Sequence, residues 1–372
     1  MSKKIILYSL QTFSSTGGIQ KMSRTLAHSL YQLSEKNEWD FEFWSAYDYN
    51  EELMTRYLPA KNFRGFGIKR YDFVFKAIAN ARKQDIIILT HVNMAIVGIL
   101  IKTINPKCKV WLIAHGIEIW KPLPIIKSLF LKICDKILCV SNFTKQKMID
   151  VHNVNLEVCI VLNNAIDPFM QLPTRFAKPE NLLKRYGLSI TDPVIFTLTR
   201  LSSTELYKGH DHVIKALAKI KKTYPAIKYI LSGKYDSQEK LRIEKLITDS
   251  GVEDQVILTG FLKEEELAEH FLLANLFILP SKKEGFGIVF IEALACGLPV
   301  ICGNADGSID AICNGALGKA INPDSLEELE KTAIEILNNP LTDSERRNLQ
   351  SECLAHFDEN SYMKKLELLI NE

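Results

Sequence analysis

Short apolar runs alternate with longer stretches of helical period along the whole chain. Lys4–Leu10, Phe41–Ser45, Ile86–Leu89, Val110–Ala114, Lys136–Val140 and Val158–Leu162 read as strands in the first half. Between the first two lies Gly17–Leu33, apolar at Ile19, Met22, Leu26, Leu30 and Leu33, which predicts a helix with one buried stripe. The second half restarts the pattern. Val194–Thr199, Lys228–Ser232, Gln255–Thr259, Leu276–Leu279 and Pro299–Cys302 read as strands, with helices over His210–Lys222, Ser237–Asp249 and Glu264–Leu273. Strands separated by helix-length segments predict parallel sheets joined by crossover helices, so the fold class is α/β.

Between the halves, Asp167 to Glu180 holds Pro168, Pro173 and Pro179 with little periodicity, as a linker would. A chain of 372 residues exceeds what one core usually supports, so two domains are expected. The boundaries read as 1–170 for the first domain, 171–182 for the linker and 183–355 for the second. A last amphipathic stretch, Ser361–Ile370, predicts a terminal helix.

Composition narrows the class. Hydrophobic residues make up 47% and charged residues 24%, ordinary for a soluble globular protein. The eight cysteines form no Cys-x-x-Cys pair and several sit in apolar runs, which reads as buried reduced thiols in a cytoplasmic protein. The N-terminal apolar run, Ile5 to Leu10, is too short for a signal peptide. The apolar region Ile86–Ile101 is broken by Thr90, His91 and Asn93 and reads as a strand followed by a helix, not a membrane span.

Net charge is only +2, but it is unevenly spread. Residues 1–176 carry 23 Lys and Arg against 14 Asp and Glu, and residues 177–372 carry 23 against 30. Arg56–Lys83 alone has eight basic residues and one acid, Asp72. Such a bias attracts anionic surfaces, either an anionic membrane or a pyrophosphate-bearing acceptor; a solvated basic face is the equal alternative. No nucleic-acid-binding motif accompanies the charge.

The densest chemistry lies in Leu279–Val300. Glu284 precedes Gly285, Phe286, Gly287 and Ile288, and Glu292 follows eight residues after Glu284 on an apolar helix. The free N–H groups of a helix start suit an anion, and carboxylates suit hydroxyls. Arg200 ends a strand and Lys208 precedes a helix, where two cations can neutralise a diphosphate. No Asp-x-Asp or clustered His, Cys and carboxylate set has metal-ligand spacing, so no metal is expected.

The run Pro-Ser-x-x-Glu-Gly-Phe-Gly-x-x-x-x-Glu-Ala-x-Ala-x-Gly-x-Pro-Val resembles retaining glycosyltransferases of the GT-B fold, the large family often numbered four. The resemblance implies two Rossmann-like domains with parallel sheets facing across a cleft. It also implies a C-terminal helix, 356–372, packing back onto the first domain. The first domain would bind the acceptor and the second the donor nucleotide sugar. By the same resemblance Arg200 and Lys208 bind the donor phosphates, Glu284 the hexose and Glu292 the ribose. N–H groups at Phe286, Gly287 and Ile288 would assist. Gly17 and Gly18, in a Gly-Gly-Ile-Gln run after the first strand, would support the phosphates, and Gly233 stands where a Gly-x-Gly is common. Leu262, in Thr-Gly-Phe-Leu, would meet the base. His115, in His-Gly-Ile-Glu, would face the sugar and acceptor, with Glu118 shaping the acceptor pocket.

The implied activity is transfer of a hexose from a UDP-sugar of the UDP-glucose or UDP-GlcNAc type onto a glycan or lipid-linked acceptor. It needs no cofactor beyond that donor. A cytoplasmic enzyme, peripheral on the inner face of the membrane, is the matching location. A sugar-nucleotide epimerase or hydrolase of the same fold, or a non-catalytic sugar-nucleotide-binding protein, remain the alternatives.

Overall fold

The computed structural model describes residues 2–372. It divides into two compact units, one formed by residues 2–168 with Phe357–Glu372 and the other by Phe169–His356.

The first unit holds seven strands: β1 (Lys4–Ser9), β2 (Asp40–Ser45), β3 (Phe63–Gly65), β4 (Ile86–Leu89), β5 (Lys109–Ala114), β6 (Lys136–Cys139) and β7 (Cys159–Val161). They form one parallel sheet in the order β3-β2-β1-β4-β5-β6-β7. Helices α1 (Gly18–Asn37), α2 (Arg70–Asn80), α3 (Ala95–Ile104), α4 (Ile125–Ile133) and α5 (Asn142–His152) connect them. The central strands are unbroken apolar runs because crossover helices cover both faces of such a sheet. Chain order reverses between β1 and β4, the kind of switch point where doubly wound sheets bind ligands.

The second unit repeats the plan with six strands: β8 (Val194–Leu198), β9 (Lys228–Ser232), β10 (Val256–Gly260), β11 (Leu276–Leu279), β12 (Val300–Gly303) and β13 (Lys319–Ile321). Their order is β10-β9-β8-β11-β12-β13, all pairs parallel. Here the switch point lies between β8 and β11. The helices are α6 (Glu180–Tyr186), α7 (His210–Thr223), α8 (Ser237–Asp249), α9 (Leu267–Leu273), α10 (Ile288–Ala295), α11 (Ser308–Ala311), α12 (Leu326–Asn338) and α13 (Asp343–Phe357).

Helix α14 (Glu359–Asn371) starts where the Asp358 carboxylate accepts the N–H of Ser361 at 2.8 Å. It lies on α1: His28 meets Glu359 at 2.7 Å and Lys36 meets Glu367 at 2.8 Å. The chain before it is anchored by a bond from the Ile166 N–H to the Phe357 carbonyl at 2.9 Å.

Two edge strands, β3 and β13, carry no apolar run and were not expected from the pattern. Glu264–Leu273 is not one helix: Glu264–Glu266 is a 3-10 turn and α9 begins at Leu267. The proline-rich segment after Pro168 is held against the second unit. Arg346 donates to the carbonyls of Phe176 at 2.8 Å and Gly297 at 3.0 Å, and Gln350 donates to that of Pro173 at 3.0 Å.

Candidate functional site

In the second unit, the chain leaves β8 at Leu198 and β11 at Leu279, on either side of the switch point, and the two exit loops are tied together. Lys282 donates its N–H to the Tyr207 carbonyl at 3.0 Å. Gly209 sits at φ +84°, and a Cβ there would lie 2.3 Å from the Pro280 carbonyl oxygen, so only glycine lets the loops approach this closely.

This approach brings Lys208 to Glu284. The Nζ donates to Oε1 at 2.5 Å, and the two side chains are 14% and 16% exposed. Burial, the largest influence, pulls the Lys208 pKa down. The Glu284 charge and hydrogen bond outweigh it, and the net shift is upward, so the ammonium stays charged. Glu284 is fixed from behind as well. Its backbone N–H bonds the Asp306 carboxylate at 2.6 Å, and its carbonyl accepts from the Gly307 N–H at 2.8 Å. The other Asp306 oxygen takes the Ser308 N–H at 2.9 Å. Burial, reinforced by the Glu284 charge, pushes Asp306 up to about 7 despite these two N–H bonds.

Arg200 is placed differently. It pairs with Glu205 and its side chain is 71% exposed. Tyr207 lies between the groups, with the Lys208 and Lys283 ammoniums 5.7 and 5.1 Å from its ring centre. Burial and then the Glu205 charge raise its pKa, while Lys208 opposes them.

Gly287, φ +82°, caps the start of helix α10 and has no side chain to take up the N–H groups of its first turn. Phe286 is buried at the turn, Gly285 is half-buried, and Glu292 is buried on α10 itself. Gly233 follows β9 with φ +149°; a Cβ would lie 1.7 Å from the Thr199 oxygen. Its N–H bonds the Gly260 carbonyl at 2.9 Å, so it threads between the ends of β8 and β10. Leu262 is buried just past β10.

In the first unit, His115 follows β5. Its Nε2 is 2.9 Å from the Thr90 carbonyl at the end of β4. A carbonyl can only accept, so Nε2 carries the proton. Burial holds the His115 pKa down at about 4, against the raising effect of that bond. The ring is therefore neutral near pH 7, with Nδ1 as an acceptor. Glu118 turns back on this loop: one of its oxygens accepts the N–H of His115 at 2.7 Å and of Gly116 at 3.1 Å. It braces the turn that aims His115. Gly17 and Gly18 sit at the start of α1, whose first turn holds no acidic residue, and a Cβ on Gly18 would meet no atom within 4 Å. The loop before them is folded by Asp48, which accepts the N–H groups of Thr12 at 2.7 Å and Ser14 at 3.0 Å.

Thus Lys208 and Glu284 are in direct contact, and Gly285–Ile288 and Glu292 continue from Glu284 through the same loop and helix. Arg200 has Glu205 as its partner. Asp306, Glu205, Tyr207 and Thr90 were given no site role from the sequence. For Asp306 a signal existed: a carboxylate two residues before Ser308, the opening residue of α11.

A family model described as glycosyl transferases group 1 matches residues 180–352. A GDP-mannose-dependent alpha-(1-6)-phosphatidylinositol monomannoside mannosyltransferase of Mycobacterium tuberculosis is 31% identical over 236 residues, covering 60% of this chain and 59% of that protein. An N-acetyl-alpha-D-glucosaminyl L-malate synthase of Bacillus anthracis is 32% identical over 158 residues, 42% of this chain and 39% of that protein. The chain thus spans less than two thirds of the curated relatives it matches. Among solved structures, HepE of Anabaena in complex with UDP superposes with a TM-score of 0.77 at 20% identity, covering 99% of each chain. A glycosyltransferase from Rickettsia africae gives 0.77 at 18% identity, over 99% of this chain and 98% of that one. Residues 180–352 thus match the glycosyl transferases group 1 model, and the two parallel sheets are those of the GT-B fold.

Proposed function

We propose that this chain is a retaining glycosyltransferase that moves a hexose from a nucleotide sugar onto a glycan or lipid-linked acceptor. The observation that carries this reading is the Lys208–Glu284 contact beside the uncapped start of α10. A charged ammonium that is already desolvated and oriented can stabilise a diphosphate as negative charge grows on it during bond breaking. Arg200, exposed and paired with Glu205, swings in as the second cation. Glu284 takes hexose hydroxyls, the N–H groups at Phe286–Ile288 assist, and Glu292 takes the ribose. Leu262 meets the base, and in the first unit Gly17 and Gly18 offer the start of α1 to an anion. In the first unit, neutral His115 presents Nδ1 to a hydroxyl of the acceptor, with Glu118 holding its loop. The donor's own phosphate takes the acceptor's proton, so the protein supplies position and charge.

A UDP-hexose is the donor favoured by the Thr259–Leu262 segment. GDP-mannose is the second reading, favoured by the relatives whose names specify it. No helix among the described residues is long and apolar enough to cross a membrane. The basic first unit suits peripheral contact with an anionic membrane on its cytoplasmic face.

The test is release of UDP or GDP from its hexose conjugate, with and without a lipid or glycan extract. Release that depends on the extract and collapses in Glu284→Ala supports transfer. Extract-independent turnover selects the epimerase or hydrolase reading, and binding without turnover selects the non-catalytic one.

A further inference from the structure

The outward faces of α2, α3 and α4 carry an apolar surface that the proposed transfer chemistry does not use. On α2, Tyr71 and Phe75 are 77% and 73% exposed and one turn apart. On α4, Ile125 is 86% exposed and Ile126 and Leu129 are each 51% exposed. Between them α3 shows Ile96, Leu100 and Ile104, spaced four residues apart along one stripe. Ile68, just before α2, is 83% exposed. These nine are among nineteen large apolar side chains left exposed among the described residues, and the whole second unit has five.

These helices form one continuous layer. α3 packs against both α2 and α4. The Phe130 ring of α4 sits where a Cβ on Gly98 of α3 would fall, 2.2 Å away, so the α3–α4 approach needs glycine. Each helix already buries its other face in the core through Phe73, Ala77, Val97, Ile101, Phe130 and Leu131. The exposed stripes are therefore a second apolar face on helices whose core side is satisfied. Soluble proteins seldom leave such a surface to water.

Charge identifies the occupant. From Lys61 to Asp135 the chain has thirteen Lys and Arg against four Asp and Glu. Two of those acids are already paired, Asp72 with Lys76 and Asp135 with Lys102. Lys69 and Arg70 flank Ile68 and Tyr71, and Lys121 and Lys132 bracket the α4 stripe, all four of these cations exposed. Apolar and aromatic side chains rimmed by cations fit the interface of a bilayer with anionic headgroups: the rings and aliphatic chains enter the headgroup boundary and the cations meet the phosphates.

We infer that the α2–α3–α4 face is a docking surface for an anionic lipid bilayer, entered by Ile68, Tyr71, Phe75, Ile125, Ile126 and Leu129. This deepens the membrane contact proposed above and rests on that reading only for its biological setting.

The test is co-sedimentation of the full chain with vesicles of equimolar phosphatidylglycerol and phosphatidylcholine, against phosphatidylcholine alone. Three proteins are compared: wild type, Tyr71→Ser/Phe75→Ser, and Ile125→Ser/Ile126→Ser. Light scattering and nucleotide-sugar thermal shifts run alongside. The wild type is expected to bind the anionic vesicles, more weakly as salt rises, and each double variant to lose about tenfold or more in partitioning. Melting and the nucleotide-sugar shift should be unchanged. Wild type that stays in the supernatant, or variants that sediment equally, would overturn the inference. A wild-type dimer that the variants break would also overturn it, because a second copy would then be the occupant. A vanished nucleotide-sugar shift with intact vesicle binding would instead strike the glycosyltransferase reading and leave the surface standing.

Discussion

The buried Asp306 carboxylate accepts the backbone N–H of Glu284 at 2.6 Å, joining the loop after β12 to the loop after β11. Glu284 is thereby clamped at its backbone by Asp306 and at its side chain by Lys208. Asp306 touches no donor in the proposed reading, so its role is positioning. Asp306→Ala leaves the Glu284 and Ser308 amides without their carboxylate partner. It should cost about 1–3 kcal/mol of stability and lower transfer through a looser Glu284. Thermal melting with kcat and KM measured separately checks this. Unchanged kinetics would remove Asp306 from the support of the site.

Gly209 should tolerate no side chain. Gly209→Ala combines a left-handed backbone with a Cβ 2.3 Å from the Pro280 carbonyl oxygen. The conformational strain alone is about 1–3 kcal/mol, and relief of the clash must move Lys208 away from Glu284. The variant should melt several degrees lower and lose donor affinity. A variant that melts and binds like wild type would show that the loops need not meet this closely.

How much of this was legible in the sequence depends on where each interaction partner sits. Ile86–Leu89 and Leu276–Leu279 have the observed bounds because central parallel strands are apolar from end to end, and Lys228–Ser232 has them because Lys228 and Ser232 close a short apolar run. β3 and β13 are three-residue edges that carry Arg64 and Lys319, so no apolar run marks them. Lys208 and Glu284 stand out because both lie in loops next to glycines at the ends of strands. Asp306 is set by contact across the fold, and nothing in Asp-Gly-Ser names Glu284 as the partner. Glu205 lies five residues from Arg200, yet only the loop's path turns the two together.

Two titrations should pull stability in opposite directions with pH. Asp306 has its folded pKa raised from 3.8 to about 7, so the folded state holds an extra proton in that window and stability falls as pH rises through it. His115 has its folded pKa lowered from 6.5 to about 4, so its contribution is complete above 6.5 and is lost as pH falls towards 4. Asp306→Asn should remove the falling component and His115→Gln the rising one. Denaturant melts at several pH values between 4 and 7.5 check both signs. A slope of the opposite sign for either variant would contradict the environment described for that group.

Removing either half of the Lys208–Glu284 pair should cripple transfer. Loss of a preorganised charge that stabilises a developing anion typically costs about 10²–10³ in kcat, and Lys208→Ala should fall in that range. Glu284→Gln keeps the shape but removes the charge that offsets burial at Lys208, and should lose activity. Steady-state release of nucleoside diphosphate, with folding checked by circular dichroism, reads both. Near-normal turnover in both variants would separate the contact from catalysis.

The most direct measurement is a thermal-shift titration of wild type and Lys208→Ala with UDP-, GDP- and ADP-hexoses. A ligand that binds only the folded state raises the melting temperature as its concentration grows. Wild type should be stabilised by one nucleotide class, UDP or GDP, and Lys208→Ala should lose most of that shift. Wild type that responds to no nucleotide sugar, or a variant that responds as strongly as wild type, would contradict a nucleotide-sugar site built on Lys208 and Glu284.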